Sequence, residues 1–506
     1  MTKKVIVIGA GVAGLASAIR LQHAGYQVEI HEKDSTPGGK MNRLEKEGYQ
    51  FDLGPSIVMM PELYREIFEL CGRDPDDYIP MEKLDPMYRV YFSDTPDAPI
   101  DISSDLPELT RMIESISPGD TEGFLHYLHD IYKGFIFAQD NILGRPFHKR
   151  SDFYNISMFR KAPKVKLVGT ADNFIGRYIK SERLKQIMGF QTLYIGISPF
   201  NGPSFYSMIP MIQFLYGIWF IKGGMYTMAS SMERLFRELG GEVVYGSQVQ
   251  EISIDDRKAT GIKMDDRKID ADFVVCNADF PYAMKNLVKS PATKGKFTDR
   301  KIEGMKYSCS GFLLYLGMDR KYEDVEHVHN FIFNESLEKN MQDIFDGKRL
   351  EHASFYVYIA SKLDPTLAPE GKDGLYILMP VSDLGTADYE WNDETVQYYR
   401  TYILETLKKI RGFENVEQEI VTETCFTPVD FESRFNAYNG AAFGLQPTLS
   451  QSIHRRPQSK SPSCSNLYFT GSSTHPGAGV PIVLLSAGIA ARELIQDDKG
   501  SHPDTE

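Results

Sequence analysis

The sequence predicts an α/β protein in which a parallel sheet binds a dinucleotide, a mixed β-sheet domain adjoins it, and a third part is helical. Three observations lead to this fold class: a glycine fingerprint near the N-terminus, a glycine-rich turn that opens a helix near the C-terminus, and a charge-free aromatic tract between them. The chain has 506 residues, 42% hydrophobic and 25% charged, which is the composition of a globular protein of about three domains. It excludes a disordered chain or a disulfide scaffold.

The N-terminal segment carries the dinucleotide fingerprint. Residues 5–8 are apolar and predict a buried parallel strand, and the sequence GAGVAG that follows matches GxGxxG. A helix and a second strand at 26–31 are predicted next, and Glu32 stands 18 residues after Gly14. The glycines permit a tight turn, close approach of a pyrophosphate and close helix–strand packing, while the acid accepts from a ribose hydroxyl. The unit is therefore of Rossmann type.

The cysteines and the first residues of the chain indicate in which cellular compartment the protein is expected. The five cysteines form no CxxC pair and are odd in number, so neither a disulfide framework nor a cysteine metal site is expected, and a reducing cytosol fits best. Two lysines before residues 5–8 also allow a signal peptide, but a strand that enters an organised glycine turn accounts for more of the sequence.

Further glycine turns favour FAD over NAD as the dinucleotide. Residues 38–40 (Gly-Gly-Lys) follow the acid, and 48–55 predicts a strand that ends in a second turn, so a longer cofactor finds more points of close backbone approach. Near the C-terminus a strand at 468–471 precedes the turn 475–481, whose final proline suits the first position of a helix over 482–495. The positive end of that helix would stabilise negative charge on a reduced flavin, although a plain packing helix has the same pattern. The sequence has no second GxGxxG, so no separate nicotinamide domain is expected.

These motifs together resemble the carotenoid phytoene desaturase family of bacteria and fungi. The resemblance rests on the fingerprint, Gly38-Gly39-Lys40, Phe51-Asp-Leu-Gly-Pro-Ser56 and His475-Pro-Gly-Ala-Gly-Val-Pro481, and runs from about residue 4 to residue 495. Four further stretches resemble the branch acting on C30 precursors, the dehydrosqualene (4,4'-diapophytoene) desaturases. They are Ile57-Val-Met-Met-Pro61, Ser151-Asp-Phe-Tyr-Asn155, Phe190-Gln-Thr-Leu-Tyr-Ile-Gly196 and Phe220-Ile-Lys-Gly-Gly-Met-Tyr226.

The resemblance implies a Rossmann-type FAD-binding domain assembled from residues 1–85, 223–300 and 461–495. A mixed-sheet substrate domain is expected at 86–105 and 301–460, a helical membrane-facing subdomain at 106–222, and a disordered tail at 496–506. No metal site is implied. The implied cofactor contacts, including those of the fingerprint, are Gly9, Gly11, Ala13, Gly14, Glu32, Lys33, Gly39, Lys40, Pro55, Ser56, Val249, Gly471, Gly479, Val480 and Pro481.

Charge is distributed unevenly along the chain. The net charge is −13, which argues against nucleic acid as a partner, yet residues 149–222 hold eleven basic and three acidic side chains, a net +8. Within them, 186–221 is a run of 36 residues without a charge, nine of them aromatic. Prolines and glycines interrupt it, and its most apolar run is 14 residues, short of the about 20 that a membrane span needs. A buried or interfacial segment fits better.

A carotenoid precursor has no polar group, so its site is expected to be a long tunnel without unpaired charges. The tract 186–221 is the best candidate for the wall, with the plain core of a helical domain as the alternative. The basic segment around it would face anionic lipid, at about 1 kcal/mol per residue, or else form a solvated helix face. A monotopic protein on the cytoplasmic, inner face of the cell membrane is expected. The tunnel residues expected are Phe190, Tyr194, Phe205, Phe214 and Trp219.

Desaturation removes a hydride, which the flavin takes, and a proton. An allylic cation beside a polyene is stabilised by its own π-system, so a strong base is not obligatory. Some members of the family carry an Asp-x-x-Arg pair proposed to assist proton movement; the aligned stretch here is 157–160, where Arg160 matches and Ser157 does not. Arg160 and His475 are the candidate catalytic residues. The alternatives are a solvated or lipid-facing surface for Arg160, and shaping of the turn beside the flavin for His475.

The expected function is the FAD-dependent introduction of conjugated double bonds into a C30 polyene, with oxygen or a quinone as electron acceptor. Rival enzymes on this scaffold are a C40 phytoene desaturase, a carotenoid oxidase or isomerase, and an amine or porphyrinogen oxidase, although the charge-free tract speaks against an ionic substrate. A non-enzyme rival is a prenyl-lipid-binding protein of the GDP-dissociation-inhibitor type. The intact fingerprint, Glu32 and the C-terminal glycine turn argue against that class.

Overall fold

Two large β-sheets, with helices around them, organise the chain. The computed structural model describes residues 2–153, 169–265, 267–334 and 336–500. Its strands are β1 (Lys4–Ile8), β2 (Gln27–His31), β3 (Arg43–Lys46), β4 (Tyr49–Asp52), β5 (Met81–Leu84), β6 (Tyr88–Phe92), β7 (Ile100–Ile102), β8 (Ile218–Ile221), β9 (Glu242–Val244), β10 (Glu251–Asp255), β11 (Lys258–Met264), β12 (Arg267–Asp270), β13 (Phe273–Cys276), β14 (Ser310–Met318), β15 (His329–Phe333), β16 (Phe355–Tyr358), β17 (Gly374–Val381), β18 (Ile420–Phe426) and β19 (Leu467–Phe469). Its α-helices are α1 (Val12–His23), α2 (Pro61–Glu69), α3 (Leu106–Ile116), α4 (Asp120–Ala138), α5 (Arg150–Phe153), α6 (Ala171–Ile175), α7 (Glu182–Gly189), α8 (Met208–Tyr216), α9 (Tyr226–Glu238), α10 (Phe280–Tyr282), α11 (Pro291–Lys294), α12 (Asp299–Glu303), α13 (Leu337–Phe345), α14 (Asp393–Leu407), α15 (Pro428–Phe435) and α16 (Val480–Lys499).

The parallel sheet brings together three distant parts of the chain. Its order is β19-β13-β1-β2-β9, and every neighbouring pair is parallel. The central strand β1 is apolar and buried from Val5 to Ile8, as expected for a strand covered on both faces. Helix α1 leaves the glycine turn and packs against α16 and α9, which come from the other two parts. The predicted strand–turn–helix–strand unit is therefore confirmed, while the domain boundaries stay a prediction.

The mixed sheet has seven strands in the order β18-β14-β17-β16-β15-β6-β7. The pair β15–β6 is parallel and the other pairs are antiparallel. Predicted strands at 310–316 and 374–380 correspond to β14 and β17. The register sets His329 opposite Tyr358 and Phe331 opposite Tyr356, so alternate residues of adjacent strands share one face.

The described chain between 106 and 222 is mostly helical, as predicted. Helix α3 follows Asp105, whose carboxylate accepts a hydrogen bond from the Glu108 amide at 3.0 Å. Helix α4 packs on α8, where the rings of Phe124 and Phe214 meet edge to face at 5.3 Å. The region ends in strand β8, which pairs with β5. Of the helices in the described ranges, none is both long and apolar enough to cross a bilayer.

The C-terminal helix differs from the prediction at both ends. Pro481 is its second residue rather than its first. Residues 496–499 continue the helix, whereas the sequence predicts a disordered tail from 496 onward. Asp498 accepts a hydrogen bond from the Tyr26 hydroxyl at 2.8 Å, which ties the last turn to the start of β2. A long-range contact of this kind leaves no trace in the local polarity on which the prediction rested.

Candidate active site

A cavity of about 540 Å³ lies where the parallel sheet, the mixed sheet and the helical region meet. All the predicted cofactor contacts except Gly14, and part of the predicted tunnel, open onto it. The predicted residues that line it are Gly9, Gly11, Ala13, Glu32, Lys33, Gly39, Lys40, Pro55, Ser56, Phe190, Tyr194, Phe205, Val249, Gly471, Gly479, Val480 and Pro481. Two sets of residues that sequence reasoning assigned separately are thus brought to one space.

The N-terminal glycine turn closes against the parallel sheet. The Gly9 amide donates to the His31 carbonyl at 2.8 Å, and Gly9 has φ +93°, a conformation that favours glycine. Gly14 does not line the cavity. It lies behind the turn, where a Cβ atom would stand 2.1 Å from the Gly9 carbonyl oxygen. The close approach of α1 to the turn therefore requires a residue without a side chain at this position.

Glu32 is a buried acid at the end of β2. One carboxylate oxygen accepts from the Ala10 amide at 2.6 Å and the other from the Asp34 amide at 2.9 Å. Burial raises the pKa of Glu32, although both hydrogen bonds oppose that shift. A carboxylate has about four lone-pair sites, so Glu32 can still accept from hydroxyls that enter the cavity. This is the property that a ribose requires of it.

Two lysines line the same part of the cavity. Lys40 Nζ donates to the carbonyls of Ala441 and Ala442 at 3.3 and 2.8 Å, and Lys33 Nζ donates to the Arg434 carbonyl at 2.5 Å. Neither lysine forms an ion pair with a carboxylate in the described part of the chain. Burial lowers the pKa of Lys40, and the attraction of the Asp279 carboxylate opposes that shift only in part. An anionic group in the cavity would further stabilise the charged lysine.

The C-terminal glycine turn is held from behind by Arg456, a residue that sequence reasoning missed. Arg456 is fully buried and donates to four backbone carbonyls, with no ion pair among the described residues. Burial lowers the pKa of Arg456 to about 10. The acceptors are Thr474 at 3.1 Å, Ser472 at 2.6 Å, Leu445 at 3.0 Å and Gln451 at 3.4 Å. The helix α16 that follows the turn has no side-chain cap at its first residues, so backbone amides remain available there.

The apolar half of the cavity is walled by the mixed sheet, whose strands lie in the segments expected to form the substrate domain, although none of its residues was predicted to line the tunnel. Phe331, Phe333, Tyr356 and Tyr376 all lie on the lined face. Phe190 of the predicted tunnel packs on this wall, with its ring 4.6 Å from that of Phe331. The alternating aromatic residues of β15 and β16 are the signal that would have predicted it.

Two predicted tunnel residues, Phe214 and Trp219, do not line this cavity. Phe214 is buried in the helical core against Phe124. Trp219 donates its indole N–H to the Tyr216 carbonyl at 2.9 Å and packs against the core of the parallel sheet. The absence of charge in 186–221 predicts burial, but it does not distinguish a cavity wall from a solid core.

Comparison with known proteins decides the family. Residues 12–495 match the family of flavin-containing amine oxidoreductases. The chain belongs to this family. It is 45% identical over 500 residues to the 4,4'-diapophytoene desaturase (4,4'-diaponeurosporene-forming) of Staphylococcus aureus strain Newman, covering 98% of this chain and 99% of that protein. The protein of the same name from strain USA300 gives the same values.

Solved structures resemble this flavoenzyme in fold. An oxidoreductase from Methanosarcina mazei has a TM-score of 0.63 at 20% identity, covering 96% of this chain and 98% of its own. A putrescine oxidase triple mutant has a TM-score of 0.62 at 13% identity, covering 98% and 99%. Rab GDI from Plasmodium falciparum has a TM-score of 0.53 at 11% identity, covering 100% and 99%. At such identities the likeness shows a shared fold.

The chain is an FAD-dependent oxidoreductase, and the residues present fit that cofactor. A buried carboxylate with spare lone pairs, two lysines that form no ion pair in the described part of the chain, and two glycine turns all open onto one cavity. Glu32 would hold the ribose, and Lys33 and Lys40 would lie beside the pyrophosphate. Among the described residues, no three His, Cys, Asp or Glu side chains come together as metal ligands would.

The structure describes one of the two candidate catalytic residues, His475. Arg160, like Ser157, lies outside the described residues. His475 is buried behind the cavity lining, where its Nε2 donates to the Ile142 carbonyl at 3.1 Å and its ring stands perpendicular to Phe147. Burial lowers the pKa of His475 to about 4. This position favours the shaping of the turn over direct proton transfer.

Asp52, at the end of β4, is expected to make stability depend on pH. Its Oδ1 accepts from the Met225 amide at 2.7 Å, and burial raises its pKa from 3.8 to about 7. Between about pH 4 and about pH 7, Asp52 is protonated in the folded state but ionised in the unfolded state. The free energy of unfolding therefore falls as pH rises through this range. Asp52→Asn mimics the protonated acid. The variant should therefore gain stability relative to the wild type at about pH 8, by up to roughly 4 kcal/mol.

Denaturation midpoints measured at about pH 5 and about pH 8 check this expectation. Asp97→Asn, at an exposed position, is the matched control and should keep the wild-type pH dependence. An Asp52→Asn protein whose midpoint differs from the wild type equally at both pH values would contradict the assignment.

Proposed function

We propose that this flavoenzyme introduces conjugated double bonds into a C30 polyene, converting 4,4'-diapophytoene to 4,4'-diaponeurosporene. The observation that carries the proposal is the 45% identity, over nearly all of both chains, to proteins bearing that name. The composition of the cavity supports it. The apolar half is walled by aromatic and aliphatic side chains. The charged lining residues are Glu32, Lys33, Asp34, Lys40, Asp279 and Arg434.

FAD, when bound, supplies the hydride acceptor. The chain's own residues orient the hydrocarbon and exclude water. Phe190, Phe331 and Tyr356 pack ring against ring along the apolar wall, at 4.6 and 4.8 Å, and so shape a slot for an extended chain. A slot without charged groups in its wall receives a substrate that has no polar group, because neither partner must give up a hydrogen bond.

Co-expression with a synthase tests the substrate. Cells that make the C30 precursor and this flavoenzyme should accumulate a yellow C30 pigment with new conjugated double bonds, identified by chromatography and mass. Cells with the synthase alone are the control. Pigment formed only from a C40 precursor, aldehyde ends or a purely cis/trans change would each contradict the proposal and indicate one of the rival enzymes.

The flavoenzyme works on the inner face of the cell membrane, where its substrate is dissolved, and passes electrons to oxygen or a quinone. The +8 segment 149–222 supports attraction to anionic lipid, and Leu125, Tyr132 and Leu215 are exposed apolar residues on neighbouring helices. Fractionation of the same cells should place the protein with the membranes until high salt releases it. Recovery in the cytosolic fraction at low salt would contradict this location.

A further inference from the structure

Three hydrogen-bonded side chains run from the cavity wall into the mixed sheet. The hydroxyls of Ser56 and Tyr356 lie 2.9 Å apart, and the Tyr356 hydroxyl lies 2.6 Å from His329 Nδ1. Ser56 and Tyr356 line the cavity, whereas His329 lies behind them and is 1% exposed. The three groups form a continuous path from the cavity to a buried imidazole.

The surroundings of His329 suit a group that accepts a proton through Tyr356. Its ring stacks on that of Tyr358 at 5.0 Å, and its Nε2 has no hydrogen-bond partner among the described residues. Burial lowers the pKa of His329 to about 3, so the imidazole is neutral at physiological pH. With its proton on Nε2, its Nδ1 is free to accept from the Tyr356 hydroxyl.

The path lies where the cofactor and substrate parts of the cavity meet. Ser56 follows Gly54, whose missing side chain faces the Lys40 carbonyl, on the cofactor side. Tyr356 stacks on Phe331, at 4.8 Å, on the apolar side. An extended hydrocarbon that lies along the apolar wall and reaches the cofactor side would therefore pass the Tyr356 hydroxyl.

Other tyrosines of the lining have no such link. The Tyr376 hydroxyl donates to the Gly54 carbonyl at 2.8 Å, and the Tyr206 hydroxyl bonds Ser452 at 3.2 Å. The Tyr194 hydroxyl has no partner among the described residues. Of these four tyrosines, Tyr356 is the one whose hydroxyl is hydrogen-bonded to a titratable group.

We infer that Tyr356, with Ser56 and His329 behind it, takes the proton that the substrate loses as each double bond forms. The inference rests on the proposed function. FAD, when bound, would accept the hydride that leaves one carbon. The C–H bond of the adjacent carbon breaks, its electron pair becomes the second bond of C=C, and the proton passes to the Tyr356 oxygen, while Tyr356 passes its own proton to His329 Nδ1. Oxygen or a quinone would finally take up the two electrons and the hydrogen of the hydride, together with this proton.

A weak base is sufficient for this step. A C–H bond next to an allylic cation is far more acidic than an imidazolium ion, even one whose pKa is lowered by burial. The contribution of the hydroxyl is its position in the cavity wall, where it would stand beside the carbon that loses the proton. Tyr356 is therefore a catalytic residue, and His329 and Ser56 are positioning residues.

Anaerobic single-turnover reduction of the flavin by 4,4'-diapophytoene tests the inference. Tyr356→Phe keeps the ring and its stacking but removes the hydroxyl, and flavin reduction should slow roughly 10²- to 10⁴-fold. Tyr315→Phe is the matched control, because Tyr315 is a buried tyrosine of the same sheet that does not line the cavity and donates to the Leu53 carbonyl at 2.7 Å. This control should reduce its flavin close to the wild-type rate.

Isotope effects separate proton transfer from a merely structural role. With substrate deuterated at one or the other carbon of the reacting bond, Tyr356→Phe should increase the isotope effect at the carbon that loses the proton, while flavin content stays at the wild-type level. A Tyr356→Phe rate equal to that of the control, or a slow rate with unchanged isotope effects, would overturn the inference alone. A wild-type enzyme that 4,4'-diapophytoene fails to reduce would instead overturn the proposed function, and the inference with it.

Discussion

Gly14→Ala is expected to give a protein that no longer retains FAD. The added Cβ atom would stand 2.1 Å from the Gly9 carbonyl oxygen, a backbone atom that cannot turn aside as a side chain could. Overpacking of this kind costs about 1–3 kcal/mol or more, and relief requires α1 to move away from β1. That movement distorts the turn, whose residues Gly9, Gly11 and Ala13 line the cavity. Flavin absorbance per protein after purification should fall to near zero, and desaturation with it.

Gly144→Ala is the matched control for this change. Gly144 has φ −98°, and a Cβ atom there would meet nothing within 4 Å, so the variant should keep its flavin. A Gly14→Ala protein that purifies yellow, with the FAD affinity of the wild type, would show that the turn tolerates the separation of helix and strand.

Arg456→Met is expected to cause the largest loss of stability among single changes around the site. The substitution keeps a long side chain but leaves the carbonyls of Ser472 and Thr474, among others, without their donor. A buried polar group without a hydrogen-bond partner costs about 1–3 kcal/mol, so the free energy of unfolding is expected to fall by the order of 3–5 kcal/mol when all four hydrogen bonds of Arg456 are lost. Thermal unfolding of the holoenzyme, followed by the fluorescence of released flavin, should occur several degrees lower.

Two further substitutions define what Arg456 contributes. Arg455→Met changes the exposed neighbour and should leave the transition in place. Arg456→Lys keeps the charge but not the planar fork of donors, so its transition should lie between those of the wild type and Arg456→Met. An Arg456→Met protein that unfolds and releases flavin at the wild-type temperature would show that the hydrogen bonds of Arg456 do not stabilise the turn.

Local rules account for what could be predicted of the site. The glycine turn and Glu32 are encoded within a few tens of residues, since strand, turn, helix and acid must follow one another in that order. Lys40 and Ser56 lie close behind them in sequence. The C-terminal turn was found because glycine spacing and a proline at a helix start carry the same local information.

The rest of the site depends on contacts between distant parts of the chain. Tyr356 and His329 meet because β15 pairs with β16, and no local pattern states that register. In the sequence Arg456 is one of two adjacent arginines, and nothing local distinguishes the two. Its burial among backbone carbonyls arises only from the tertiary structure. Phe214 and Trp219 share their composition with Phe190, so aromatic content alone could not assign them to core or cavity.

The parallel sheet also sets an order of events during synthesis. Helix α1 is synthesised before β19 and α16, which complete the sheet and pack on α1. A nascent chain without these two elements therefore carries only part of the nucleotide site. FAD binding, which needs both parts, would offset some of the entropy lost on closing the long loop between them. Cofactor binding and completion of the sheet are therefore expected to be coupled.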